Sequence, residues 1–247
     1  AKLSVTGEYN AEITRHSDAN LYIECGYEDA GATTKGYTAT VTTLLLLVLT
    51  AAQLSGRLSQ EEADGYKSRI EDVVNNMKTV LEDSWQWCER TAQNLKECRD
   101  LMILSGGSLK SALGEGVLKI SETCRFPVRG YEAEEFMHGM YNAVTKQVEF
   151  LYLFPPEGYE IQRMKRLYEY YSCQNKRQYA VNPPRGLKSC MGEEVLTCRF
   201  LGDADFSVLE YMLPLQLLFV LTSRARGIDL NRPKDPDFHR YMGSKLE

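Results

Sequence analysis

The stretch DLMILSGGSLKSALGEGVLKISETC, residues 100–124, decides the fold. Leu101–Leu104 is a short, unbroken apolar run closed by the pair Gly106–Gly107, the pattern of a strand buried on both faces. Beyond the glycines the period changes. Leu113, Val117 and Ile120 recur at i, i+4 and i+7, which predicts a helix over 108–124 with Ser108 as its N-cap. Strand, tight turn and helix together open a parallel sheet covered on both faces. The glycine pair then sits at the edge where such sheets receive ligands, and its amides could cradle an anion as readily as simply turn the chain.

The same grammar runs outward in both directions. VEFLYLFPP (148–156), KRQYAVNPP (176–184) and EEVLTCRFLG (193–202) read as further strands, and YEIQRMKRLYEYYSCQN (159–175) as a crossover helix. FSVLEYMLPLQLLFVLTSRARG (206–227) is a closing helix with Pro214 as its expected kink. Upstream, residues 61–98 are charged with helical period and read as two helices without a strand between them. LYIECG (21–26) reads as a strand, and 33–56 as a loop and a long buried helix ended by Gly56. AKLSVTG at the start reads as a buried strand entering a turn, without the regions of a signal peptide, so the chain is expected to begin inside a domain.

Bulk composition narrows the function. The 247 residues are 43% hydrophobic and 26% charged with a net charge of −5, and no basic block stands out, which argues against nucleic acid as a partner. The longest apolar run, Leu44–Leu49, is far shorter than a bilayer span, so no membrane association is expected. Seven cysteines are scattered with no CxxC pair, which argues against a disulfide framework or zinc site and fits a reducing cytoplasm.

On the 108–124 helix, Glu115, Lys119 and Glu122 share one face at i, i+4 and i+7. Spacing alone leaves this open between a solvated stripe with a weak ion pair and a chemical site. His138, which ends a Pro- and Gly-punctuated loop, is open in the same way between a turn residue and a proton carrier.

Four ordered segments bring the chain close to a known family. They are Thr34, Lys35, Gly36, Tyr37 and Thr38 ahead of the apolar helix; the phrase E-G-x-L-K-x-x-E at Glu115, Gly116, Leu118, Lys119 and Glu122; Glu135-Phe-Met-His138-Gly139; and Pro214-Leu-Gln-Leu-Leu218 followed by Asp229 and Pro233. In this order the chain resembles the SIS (sugar isomerase) family, in particular the fructosamine-6-phosphate deglycases and the isomerase part of glutamine–fructose-6-phosphate aminotransferase. The D-P-D-x-x-R-Y-x-G ending (Asp235 to Gly243) is similar to the deglycase branch.

The resemblance implies an α/β double-SIS architecture of doubly wound, Rossmann-like parallel sheets. Residues 1–60 would be the end of a first SIS domain, 61–98 a helical connector and 99–247 a second SIS domain with its tail. It implies an enzyme acting on a phosphorylated sugar or sugar-amine through an enaminol or enediol, with no metal or cofactor, as a homodimer or higher homo-oligomer. Glu122 would transfer the proton and His138 would open the ring, with a loop that a partner subunit could donate. Lys119 would hold Glu122 ionised or stabilise the enolate oxygen. Thr33, Thr34, Lys35, Ser105 and Glu115 are the candidates for binding substrate. The family's Ser/Thr-rich phosphate loop has no counterpart in these residues and would lie before Ala1. The resemblance also admits an amino-sugar-phosphate synthase or deaminase module, and a phosphosugar-binding regulator without catalysis.

Overall fold

A computed structural model of the protein describes residues 1–174, 177–188 and 194–243. Five parallel strands form the main sheet: β3 (Leu101–Ser105), β4 (Val128–Glu132), β5 (Glu149–Leu153), β6 (Gln178–Val181) and β7 (Glu194–Leu196), in the order β4-β3-β5-β6-β7. Before them, β1 (Leu3–Thr6) and β2 (Ala19–Tyr22) make a separate parallel pair. The α/β class and doubly wound order follow the expectation. Two of the expected strands begin among residues outside the described set, at 176 and 193, and Cys190 lies outside it too.

The continuous apolar strands reflect burial on both faces. In β3, Leu101 and Ile103 join one core while Met102 and Leu104 join the other; in β5, Leu151 and Leu153 face the first core and Phe150 and Tyr152 the second. The first core is closed by α2 (Gln60–Leu95), α3 (Lys110–Cys124) and α6 (Ser207–Ala225). The second is closed by α4 (Ala133–Met137) and α5 (Glu160–Ser172).

Four local expectations need correction. The segment 61–98 is one helix, α2, of 36 residues, because a Ser59–Glu62 capping box starts it and nothing interrupts its apolar period before Leu95. The segment Val128–Glu132, read as loop, is the edge strand β4; its uniformly half-buried residues lack the apolar run that marks the central strands. Ser108 does not cap α3: it lies in a 3-10 turn over Gly107–Leu109, and its hydroxyl faces that of Ser207 at 3.5 Å. Finally, α1 (Lys35–Leu54) is not a buried helix. Only Leu49 is buried, and Val48 is 65% exposed, because α1 meets α2 and α6 along a single face. Both α1 and α6 have the length and hydropathy of a membrane span, though α6 is mostly buried in the core.

Among the cysteines, Cys25, Cys88, Cys98, Cys124 and Cys198 are free, whereas Cys173 is disulfide-bonded. One disulfide-bonded cysteine does not make a framework, but with it cysteine usage no longer argues for a reducing compartment.

Candidate active site

The stripe on α3 is a largely buried charge cluster rather than a solvated face. The helix packs its small residues inward: a Cβ on Gly116 would lie 3.1 Å from Leu215 of α6, and one on Gly130 of β4 would overlap Val117. This close approach sinks the flank of α3 between neighbours. Lys119 is only 8% exposed, and its ammonium donates to Glu122 Oε1 at 2.9 Å with Glu115 Oε1 at 3.9 Å on its other side. Burial pushes the Glu115 carboxyl up; the Lys119 charge pulls against it and the Glu122 charge adds to it. Tyr37 of α1 lies close enough for the Glu115 charge to add to the rise that burial gives its phenol.

Glu122 opens onto a cleft of about 590 Å³ beneath the end of α3. Arg125, in the left-handed conformation that ends the helix, lines the cleft beside Glu122. The opposite wall is the chain after α6, with Arg232, Lys234, Asp235 and His239. Two contacts fix this tail. Arg125 Nη2 donates to the Arg232 carbonyl at 2.7 Å, and the Leu230 carbonyl presses on Gly31 so closely that a Cβ there would overlap it. The cleft is therefore assembled from three segments distant in sequence: the loop before α1, the end of α3 and the tail. Among the described residues no group of three or more His, Cys, Asp or Glu is placed to hold a metal ion.

A protein assigned as a phosphosugar isomerase in Clostridium difficile 630 superposes on 99% of this chain with a TM-score of 0.86 and 30% identity, and 68% of that structure is covered. The chain belongs to the SIS (sugar isomerase) family.

Other relatives agree. Glutamine–fructose-6-phosphate aminotransferase of Rhizobium meliloti (strain 1021) is 24% identical over 234 residues, 94% of this SIS chain, which spans 38% of that relative's length. The C-terminal domain of the glucosamine–fructose-6-phosphate aminotransferase of Francisella tularensis shares the fold at 18% identity, with a TM-score of 0.80 over 93% of this chain and 64% of that one. No family model matches the chain.

The other predicted site residues of the SIS chain fall elsewhere. His138 is exposed just after α4, its Nδ1 donating to the Glu134 carbonyl at 2.8 Å. It follows the C-terminal end of β4, whereas Glu122 precedes the N-terminal end of the same strand, so the sheet separates them by roughly 16 Å of strand. Ser105 is buried and donates to the Leu153 carbonyl at 3.1 Å. Above it, Glu160 packs over Gly106, so a carboxylate lies where the glycine pair was expected to cradle an anion.

Thr34 and Lys35 line a second cleft of about 530 Å³ with Glu24, Cys25 and Gln216, and exposed Thr33 lies beside it in sequence. Their backbone amides belong to a cap that the sequence alone did not reveal. Glu28 accepts from the backbone N–H groups of Thr34 at 2.8 Å, Lys35 at 3.1 Å and Gly36 at 3.0 Å, and from the Thr34 hydroxyl at 3.1 Å. Burial works to raise the Glu28 carboxyl, but these donors together hold it below its ordinary value. Gln216 of α6 donates to the Thr34 carbonyl at 3.2 Å and ties this cap to α6. A lone acid seven residues before a helix is a weak signal; the tail offered its motif but no periodicity from which its place in the cleft could be read.

Proposed function

We propose that this SIS chain carries the proton-transfer machinery of a phosphosugar enzyme, and that the reaction is the cleavage of a 6-phosphorylated fructosamine to sugar phosphate and amine. The supporting observation is Glu122: a carboxylate at the mouth of a cleft, oriented through one oxygen by a buried ammonium. Glu122 takes a proton from C1 of the open-chain substrate while an acid delivers one to the C2 oxygen, giving the enaminol. Return of the Glu122 proton to C2 gives an iminium at C1. Water adds there, the proton it sheds is taken up by a base, and the amine leaves with the proton of the new hydroxyl. Aldose–ketose isomerisation uses the same carboxylate with oxygen in place of nitrogen. His138 serves ring opening, and because it lies at the far end of β4 from Glu122, it acts on the cleft of a second copy in a homo-oligomer.

The test is release of amine from 6-phosphofructosamines by the full-length protein, lost in Glu122→Gln. Retention of turnover within a few-fold in that variant refutes the assignment. The aminotransferase relatives favour a second reading, an amino-sugar-phosphate synthase or deaminase module. Formation of glucosamine 6-phosphate from fructose 6-phosphate and ammonia, without fructosamine cleavage, decides for it.

A further inference from the structure

The enaminol route needs an acid at the C2 oxygen that later serves as the base for water. An imidazole suits both tasks, since its ordinary pKa lies near neutrality. The imidazole that shares the Glu122 cleft is His239, on α7 (Phe238–Met242), and not His138. Resting on the deglycase reading, we propose that His239 is the second acid–base residue of this cleft, working opposite Glu122 on the same sugar.

Three features carry the assignment. Glu122 and His239 line one cavity, on walls formed by α3 and by the tail. The tail is held there by the Gly31–Leu230 approach and by the Arg125–Arg232 hydrogen bond, so His239 is delivered by built contacts. The Phe238 ring meets the imidazole edge-on, with centroids 5.5 Å apart at 80°, and limits its orientation. The charged groups lining the cleft with it are Glu122 and Asp235 against Arg125, Arg232 and Lys234, a set that leaves anionic substrate welcome. His239 is exposed, so it can exchange its proton with water between the two steps. Protonated, it gives a proton to the C2 oxygen as Glu122 removes one from C1; neutral, it takes the proton that water sheds on adding to the iminium carbon. Atoms balance as substrate plus water to sugar phosphate plus amine.

Two measurements on the full chain test this. The first follows the ring signals of the three imidazoles (His16, His138 and His239, assigned through single variants) by NMR in wild type and Glu122→Gln. Glu122 and His239 line one cleft, so loss of the Glu122 charge is expected to move the His239 ring signals and leave those of the other two in place. Unmoved His239 ring signals overturn the proposal. The second is turnover of a 6-phosphofructosamine. His239→Gln is expected to lower kcat about 100-fold with KM changed less than about threefold, and added imidazole is expected to restore part of the loss in His239→Ala. Wild-type turnover in His239→Gln overturns the role of His239 while leaving the deglycase reading intact. An inert wild type refutes the deglycase reading instead; the NMR coupling then sustains the Glu122–His239 pair for another phosphosugar reaction, and its absence refutes the pair as well.

Discussion

Lys119 Nζ lies 2.9 Å from Glu122 Oε1, a contact made across one turn of α3 and closed off from solvent on the lysine side. An exposed pair of this spacing contributes only a few tenths of a kcal/mol. Here the ammonium is buried between two carboxylates, so the same spacing has a different consequence.

Removing the ammonium leaves Glu115 buried without its cation. Lys119→Met is expected to cost about 2 to 3 kcal/mol at pH 7, below the full cost of breaking a buried pair because Glu122 is partly exposed. Burial already raises the Glu115 carboxyl, and loss of Lys119 raises it further. A raised carboxyl penalises folding only when ionised, so the deficit should shrink as pH falls from 7 to 5. Urea unfolding at the two pH values measures it.

Glu122→Gln keeps an oxygen for the Lys119 hydrogen bond and removes the base. Turnover is expected to fall by about 100-fold or more, with the melting temperature within about 2 °C of wild type. Steady-state kinetics beside a thermal melt separates this from misfolding.

Gly31→Ala places a methyl group against the Leu230 carbonyl. The tail must move away, while α2, α3 and α6 keep their packing. Faster proteolysis within residues 229–240 and a KM raised about tenfold or more, with little change in global stability, are the expected outcomes.

Asp83 of α2 takes three donors from Arg199: the backbone N–H and Nε at 3.0 Å each, and Nη2 at 2.7 Å. The guanidinium and backbone N–H of Arg199 hold its carboxyl down at about 2. An aspartate in the unfolded chain titrates near 3.9, so the pair stabilises the fold above about pH 4 and ceases to as pH falls through about 2. Asp83→Asn is expected to cost about 1 kcal/mol at pH 7, and the gap to wild type should close over that acid window. Unfolding followed from pH 7 down to pH 2 checks it.

Gly130→Ala drives a methyl group of β4 into Val117 and Leu113 of α3. A destabilisation of about 1 to 3 kcal/mol is expected in chemical denaturation, because the overlap involves packed side chains rather than open space.

Much of the fold was legible in the residues. The switch from an apolar run to a 3.6-residue period across Gly106–Gly107 reads correctly as β3, turn and α3, because both periods follow from backbone geometry alone. Edge strand β4 was illegible for the same reason: half-buried on both faces, it has neither a continuous apolar run nor a clean alternation. Helix α1 reads as core from its leucines, but hydrophobicity states what a surface prefers and not whether a neighbour covers it.

The sequence by itself determined the alternation of strand and helix, the common face of Glu115, Lys119 and Glu122, and through its ordered motifs the SIS family. Those are consequences of local geometry and of residue order. Tertiary structure alone decided that Lys119 is buried, that His138 is carried to the far end of the sheet by β4, and that His239 lines the cleft onto which Glu122 opens. The reason is physical: burial and encounter depend on the close approaches at Gly116, Gly130 and Gly31, between segments up to about two hundred residues apart, and no local periodicity encodes them.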